Sequence, residues 1–132
     1  MLKMDHVAIR VADLDKAVAF YTEKLGLELL FKQIDVAHHE AFAFLQLDGG
    51  KLELLQKLAD DGRPLAYAAP PVGEPFCPHI AFVTGDMDQL VRRFEREGIP
   101  IAKGPLEIPG TVRWVYVHDP DNNIVEFVNW ST

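Results

Sequence analysis

The chain repeats itself once, and this repeat limits the fold more than any other feature of the sequence. At a spacing of 73 residues, two stretches of the first half align with two stretches of the second half. The aligned stretches are residues 5–9 with 78–82 and residues 48–55 with 121–128. The first pair places His6 over His79, and the second places Glu53 over Glu126. The sequence therefore predicts two copies of one supersecondary unit, because internal self-similarity reflects a repeated structural unit.

Each half shows the same order of predicted elements. In residues 4–11 the apolar side chains of Val7, Ile9 and Val11 alternate with the others, which is typical of a half-buried strand. The predicted elements are strands 4–11, 28–33, 41–47 and 51–56 with a helix over 14–25, then strands 79–84, 100–103, 112–118 and 123–129 with a helix over 87–97. Asp13 is a predicted N-cap, and Gly26 and Gly98 are predicted helix stops. We therefore predict an α+β fold of two βαβββ modules in a pseudo-twofold repeat.

The length of 132 residues fits a single domain. We expect module one at residues 1–56, a linker at 57–78 and module two at 79–132. The linker contains five prolines, and we predict one short helical turn near residues 65–69.

Two histidines and two glutamates are the predicted ligands of a metal ion. The separation from histidine to glutamate is 47 residues in both halves, and all four residues fall on predicted strands. Both glutamates have apolar neighbours in sequence, a costly setting for a carboxylate unless it is paired or binds a metal. Two neutral imidazoles and two carboxylates balance a divalent cation and suit Zn²⁺, Ni²⁺, Co²⁺, Mn²⁺ or Fe²⁺. We predict one such ion held by His6, Glu53, His79 and Glu126, with the sheets curled around this metal cleft.

Composition excludes several other classes of function. The formal net charge is −7 and no run of Lys and Arg stands out, so we expect no nucleic-acid or membrane partner. No apolar stretch approaches the roughly 20 residues that cross a bilayer, and the first residues lack the apolar core of a signal peptide. The single cysteine, Cys77, forms no intrachain disulfide and fits a reducing compartment. We expect a cytoplasmic protein that acts on a small molecule.

Several segments together resemble a known group of proteins. They are residues 5–11, 13–14, 19–21, 25–27, 52–54, 79–82 and 119–126. In these segments the chain is similar to the vicinal oxygen chelate superfamily, also called the glyoxalase/bleomycin resistance/dioxygenase group. The resemblance covers nearly the whole chain, and the His/Glu/His/Glu pattern is most similar to the glyoxalase I (lactoylglutathione lyase) branch.

This resemblance implies a lyase or isomerase that moves a proton between adjacent carbons through a metal-chelated enediolate. It implies Glu126 as the catalytic base, with Glu53 as the pseudo-symmetric alternative. Its substrate class is a thiol adduct or an acyl thioester. Arg10 matches an arginine that in the glyoxalase I branch helps to bind glutathione, and a surface arginine in a salt bridge is the alternative.

Other activities of the same group stay open at this point. Gln56 and Lys57 stand where glyoxalase I tends to have an asparagine for glutathione. Methylmalonyl-CoA epimerases share the frame but tend to have a glutamine as one ligand, and extradiol dioxygenases use two histidines and one glutamate on Fe²⁺. Small-molecule and antibiotic-binding relatives keep the fold without the four ligands.

We also expect a homodimer. In the glyoxalase-like branch, module one of one subunit commonly faces module two of the other. The linker at 57–78 is long for a connection within a compact domain, and its prolines stiffen it. Sites shared between two chains are therefore expected, and a site built within one chain is the alternative.

Overall fold

The chain divides into two units of the same architecture in a computed structural model, which describes residues 1–131. The first unit spans Met1–Ala69, and the second begins at Pro70. Each has a four-stranded sheet and one helical region in the order β-α-β-β-β. The predicted α+β class and the two βαβββ modules are thereby confirmed.

The elements of the first unit are β1 (His6–Arg10), α1 (Leu14–Ala19), β2 (Glu28–Asp35), β3 (Glu40–Leu47) and β4 (Gly50–Lys57). Those of the second are β5 (His79–Val83), α2 (Met87–Glu97), β6 (Ile101–Ile108), β7 (Val112–His118) and β8 (Ile124–Trp130). In each sheet the first strand of the unit pairs in parallel with the last, and the other neighbours are antiparallel. The strand order is β1-β4-β3-β2 in one sheet and β5-β8-β7-β6 in the other.

Both helices begin at an aspartate, the predicted Asp13 for α1 and Asp86 for α2. The Asp13 carboxylate accepts a hydrogen bond from the Lys16 amide at 3.1 Å, and the Asp86 carboxylate accepts one from the Gln89 amide at 3.0 Å. Such caps satisfy amide groups that have no partner within the helix. The first helix changes after α1 into a π-helical turn over residues 20–24 before the chain reaches Gly26. The sequence predicted the extent of this helix but not its change of winding.

The core of each unit lies between its helix and one face of its sheet. Strand alternation gives that face the even-numbered residues of β4 and the odd-numbered residues of β7 and β8. Fully buried side chains of the first unit include Tyr21, Leu45, Leu52 and Leu54, and those of the second include Met87, Phe94, Val115, Val117 and Val125. The opposite face of each sheet is left to the candidate site residues.

The predicted helical turn at residues 65–69 is wrong. These residues have no helical structure, and the Leu65 amide donates a hydrogen bond to the Lys57 carbonyl at 3.0 Å. An isolated bridge between Leu58 and Pro64 turns the chain back along the end of β4. Pro70 also disfavours helical backbone at the residue before it.

Strand β6 is longer than the predicted strand at 100–103. It continues through Gly104 and Pro105, where its register against β7 shifts. Proline is tolerated there because β6 is an edge strand. Gly104 has a φ of 102°, and a Cβ at this position would meet the Leu106 nitrogen and the Trp114 carbonyl oxygen at 3.0 Å. The sequence Gly-Pro therefore marks a bulge within a strand, where we predicted its end.

Within residues 1–131, none of the helices combines the length and the apolar character needed to cross a membrane.

Candidate metal centre

The first unit pairs His6 with Glu53 on the sheet face away from its helix. Because β1 and β4 are parallel with Ala8 beside Glu53, the alternate residue His6 shares the face of Glu53. The His6 Nε2 lies 3.5 Å from the Glu53 Oε1. The exposed fraction of the side chain is 38% for His6 and 16% for Glu53. The unit thus holds a largely buried carboxylate beside an accessible imidazole.

The second unit repeats this pair with a shorter contact. Ala81 lies beside Glu126 in the parallel pairing of β5 and β8, so His79 and Glu126 share a face. The His79 Nε2 lies 2.7 Å from the Glu126 Oε2. Each predicted histidine is therefore placed next to the glutamate 47 residues after it.

An aromatic ring stands against each imidazole. Phe44 lies opposite Glu53 on β3, and its ring meets the His6 ring edge-on with 5.2 Å between centroids. Tyr116 lies opposite Glu126 on β7, and its ring meets the His79 ring in the same manner at 5.8 Å. These rings restrict the orientations that the imidazoles can adopt.

The other ring nitrogen of each histidine already has an acceptor. The Nδ1 of His6 lies 2.6 Å from the Asp5 Oδ2, and the Nδ1 of His79 lies 2.7 Å from the Phe76 carbonyl oxygen. A carbonyl oxygen only accepts, so the Nδ1 of His79 carries the hydrogen. In a neutral imidazole the Nε2 then presents a lone pair to the Glu126 oxygen. Both the Nε2 and the carboxylate oxygen are acceptors, so at 2.7 Å they need a hydrogen or a cation between them. This donor set fits a divalent metal ion, whose histidine ligands commonly donate the remaining ring hydrogen to an acceptor.

The carbonyl that accepts from His79 belongs to a loop held by side-chain contacts. The Phe76 ring stacks on Tyr116 with 4.7 Å between centroids and 13° between planes. Lys103 contacts the Glu74 carboxylate, and this hydrogen bond and charge lower the pKa of Glu74 from its usual value. The loop therefore keeps the Phe76 carbonyl near β5.

Sequence reasoning missed both acceptors of the histidine Nδ1 atoms. Asp5 precedes His6 directly, and its Oδ1 also lies 3.3 Å from the Lys51 ammonium. The hydrogen bond to His6, followed by that to Lys51, lowers the pKa of Asp5. The pair Asp-His in the sequence was a usable signal for this contact, whereas a backbone carbonyl such as that of Phe76 leaves no mark in the sequence.

The structure joins the predicted ligands as two pairs, one in each unit. Among residues 1–131, no group of three or more His, Cys, Asp and Glu side chains is placed to hold a metal ion. The set of four ligands therefore stays a prediction, as do the roles of Glu53 and Glu126 as bases.

Arg10 lies on the same face of β1 as His6. Its guanidinium carbon stands 4.3 Å from the ring centroid of Tyr67, within cation–π distance. The predicted role of Arg10 in substrate binding is untested by this geometry.

Gln56, one of the two residues that stand where glyoxalase I tends to have an asparagine, makes a structural contact. Gln56 is buried on the core face of β4, and its Oε1 accepts a hydrogen bond from the Leu14 amide at 2.9 Å. It therefore secures the start of α1 and does not face the His6–Glu53 pair. Asn129, 73 residues later, contacts the segment between β5 and α2, where its Nδ2 donates to the Thr84 carbonyl at 2.8 Å.

Two further histidines, His38 and His118, make contacts outside the two His–Glu pairs. The Nδ1 of His38 is 2.8 Å from the Asp35 carboxylate in the turn after β2, and the Nδ1 of His118 is 3.0 Å from the Asp119 carbonyl. The hydrogen bond from His38 lowers the pKa of Asp35.

Comparison with known proteins places this geometry in context. The model of the Glyoxalase/Bleomycin resistance protein/Dioxygenase superfamily matches residues 3–127. A probable lactoylglutathione lyase of Vibrio cholerae is 28% identical over 130 residues, which cover 93% of this chain and 87% of the relative.

Two solved structures extend the comparison. The trypanothione-dependent glyoxalase I of Leishmania major is similar with a TM-score of 0.74 and 28% identity, over 98% of this chain and 87% of that one. An antibiotic-binding protein, TnmS3 of Streptomyces sp. CB03234, has a TM-score of 0.73 at 23% identity, over 99% and 98% of the two chains. The second likeness supports the fold alone.

Proposed function

Because the chain belongs to the glyoxalase/bleomycin resistance protein/dioxygenase superfamily, we propose that it is a metal-dependent lyase or isomerase of the glyoxalase I type. The observation that carries the proposal is the orientation of His6 and His79. Each ring directs its Nε2 to a glutamate of its own unit while its Nδ1 meets a separate acceptor. A protein that only binds an organic molecule has no need for two such pairs.

In this proposal His6, Glu53, His79 and Glu126 hold one divalent ion. When bound, such an ion acts as a Lewis acid that polarises two adjacent oxygens of the substrate and acidifies the C–H bond beside them. The Asp5 carboxylate and the Phe76 carbonyl accept hydrogen bonds from the Nδ1 atoms of the two histidines. The lone pairs of both Nε2 atoms therefore stay available to bind the metal.

Glu126 is the proposed base, and Glu53 is the alternative. With a hemithioacetal of a 2-oxoaldehyde, its carboxylate takes the proton from the carbon that bears sulfur and returns a proton to the neighbouring carbon. The hydroxyl hydrogen of the first carbon moves to the oxygen of the second, so the product is a 2-hydroxy thioester and no electrons are exchanged with a cofactor. The Glu126 side chain is only 16% exposed, so it is largely shielded from bulk water.

Thiol adducts are the proposed substrate class. The relatives named lactoylglutathione lyase and trypanothione-dependent glyoxalase I support this class. Arg10 supplies a positive charge on the His6 face, where it suits a carboxylate of the thiol carrier.

An isomerisation assay tests the proposal directly. The purified chain is freed of metal with a chelator, reloaded with Zn²⁺, Ni²⁺ or Co²⁺ in turn, and supplied with methylglyoxal and glutathione. We expect thioester formation with at least one metal and none without metal. A parallel assay with a 2-methyl-branched acyl thioester, read by deuterium uptake at the 2-carbon, distinguishes an epimerase. Deuterium uptake at the 2-carbon of that thioester, without any product from the hemithioacetal, would overturn the lyase proposal.

We further propose that the protein works as a homodimer in which each site draws one His–Glu pair from each chain. The test mixes two inactive variants, His6→Ala and His79→Ala. A heterodimer then contains one site that lacks both histidines and one intact site, so activity returns on mixing. Verified heterodimers that stay inactive would mean that each site is built within one chain.

A further inference from the structure

We infer that Asp5 is a positioning residue, which holds the His6 imidazole with its Nε2 directed to the metal. This inference rests on the proposed function and deepens it, since no motif of the resemblance assigns Asp5 a role. The carrying observation is the contact of 2.6 Å between the Asp5 Oδ2 and the His6 Nδ1.

The location of Asp5 directly before the first residue of β1 makes this contact feasible. Neighbours within a strand point to opposite faces, but β1 begins only at His6, so Asp5 is not bound by that alternation. The Asp5 carbonyl accepts a hydrogen bond from the Lys51 amide at 2.9 Å, which fixes its backbone against β4. Its side chain is then free to turn back toward the imidazole.

Lys51 holds the Asp5 carboxylate as well as its backbone. The Lys51 Nζ lies 3.3 Å from the Asp5 Oδ1, so the two carboxylate oxygens meet different partners. Gly50 permits this approach, because a Cβ there would lie 3.1 Å from the Met4 Cγ and 3.4 Å from the Asp5 carbonyl oxygen. Lys51, Asp5 and His6 therefore form a chain of contacts that ends at the His6 Nε2 and Glu53.

The second unit does not repeat this chain of contacts. Pro78 stands at the position of Asp5, and Ile124 stands at the position of Lys51. His79 uses the neutral carbonyl of Phe76 instead. A charged acceptor makes its imidazole a stronger donor through the other nitrogen than a neutral acceptor does. The two histidines of the site consequently differ in donor strength, and Asp5 is the cause.

The experiment compares Asp5→Ala and Asp5→Asn with the matched controls Asp15→Ala and Asp15→Asn. Asp15 is an exposed aspartate that pairs with Lys32 at 2.8 Å, so its removal changes the net charge equally. Zn²⁺ affinity is measured by competition with a chromophoric chelator. We expect Asp5→Ala to lose about 10- to 100-fold in affinity, Asp5→Asn to lose less, and both controls to match the wild type.

A second readout needs no metal. Nitrogen-15 shifts of the imidazole report which ring nitrogen carries the hydrogen in the metal-free protein. We expect the Nδ1–H form of His6 in the wild type and a mixture of tautomers in Asp5→Ala, with no change in Asp15→Ala. If the wild type takes up no Zn²⁺, the proposed function fails, and the His6 tautomer still decides whether Asp5 orients the ring. Asp5→Ala with the wild-type affinity and the wild-type tautomer would overturn the inference alone.

Discussion

The two units carry the same His–Glu pair on the same strands, but they support it with different groups. In the first unit a carboxylate accepts from the histidine, and the Nε2 to carboxylate distance is 3.5 Å. In the second unit a backbone carbonyl accepts, and the distance is 2.7 Å. The pair itself is fixed by strand register, because Ala8 lies beside Glu53 as Ala81 lies beside Glu126. The supporting groups come from the segment before each first strand, which is free to differ.

The turns between the last two strands of each unit also differ, although the His–Glu pair is the same in both units. Two residues join β3 to β4, whereas five residues join β7 to β8. The longer turn is held by Asp119, which is buried and accepts from the Asn123 amide at 2.9 Å. The separation of 47 residues survives this difference, since a longer turn in the second unit is offset elsewhere between α2 and β8. The comparison teaches that the fold holds the donor pair in register and tolerates change around it.

The largest expected effect separates the two glutamates by their roles in proton transfer. Glu126→Gln keeps the shape of the side chain but removes the proposed base, so we expect kcat to fall by about 10²- to 10⁴-fold. Glu53→Gln removes a ligand but not the base, and we expect a smaller loss of kcat at saturating metal. Steady-state kinetics with methylglyoxal and glutathione measure both. A larger loss for Glu53→Gln would exchange the two roles.

The next largest expected effect is on KM. It concerns the charge on the sheet face that carries the His–Glu pair, where the two units also differ. Val83 occupies the position in β5 that Arg10 occupies in β1. If Arg10 binds a carboxylate of the thiol carrier, Arg10→Ala should raise KM about tenfold, as expected for loss of a charged hydrogen bond, with little change in kcat.

Val83→Ala is the matched control for Arg10→Ala, because Val83 is 77% exposed and uncharged. We expect its KM to match the wild type. Equal losses for Arg10→Ala with glutathione and with a small uncharged thiol would make Arg10 structural, through its contact with Tyr67.

The smallest expected effect compares two polar residues at equivalent positions of β4 and β8, Gln56 and Asn129. Gln56 is buried and accepts from the Leu14 amide, whereas Asn129 is half-buried and donates to the Thr84 carbonyl. We expect Gln56→Ala to lower the free energy of unfolding by about 1–3 kcal/mol, the cost of a buried amide left without a partner. Asn129→Ala should cost about 1 kcal/mol. Urea unfolding measures both, and a greater loss for Asn129→Ala would contradict the difference in burial.

Much of the fold was predictable because the repeat supplied each pattern twice. The β7 strand was predicted at its observed bounds. Helix α2 ends before the predicted stop Gly98, whose φ of 66° is left-handed. The errors fall where local signals conflict. A glycine followed by a proline usually ends a strand, but the edge position of β6 lets Gly104 and Pro105 form a bulge. Leu65 and its neighbours have helical propensity, but the bridge from Leu58 to Pro64 directs the chain along β4 instead.

The pairing of each candidate histidine with a glutamate was predictable from the sequence. A spacing of 47 residues indicated which glutamate accompanies each histidine, because strand pairing converts a constant register into a constant separation. The orientation of the rings was not predictable, since it depends on Asp5 before β1 and on the carbonyl of Phe76. The role of Gln56 was also hidden, because its partner Leu14 is distant in sequence.

The most direct measurement is the number of Zn²⁺ ions bound per chain, taken by equilibrium dialysis and elemental analysis for the wild type, His6→Ala and His79→Ala. If the pairs His6–Glu53 and His79–Glu126 share one ion, the wild type binds one ion per chain. Each variant then loses nearly all of that ion at a concentration that saturates the wild type. Two ions per chain in the wild type, with one retained in each variant, would mean that the two pairs are separate sites and would contradict a shared metal centre.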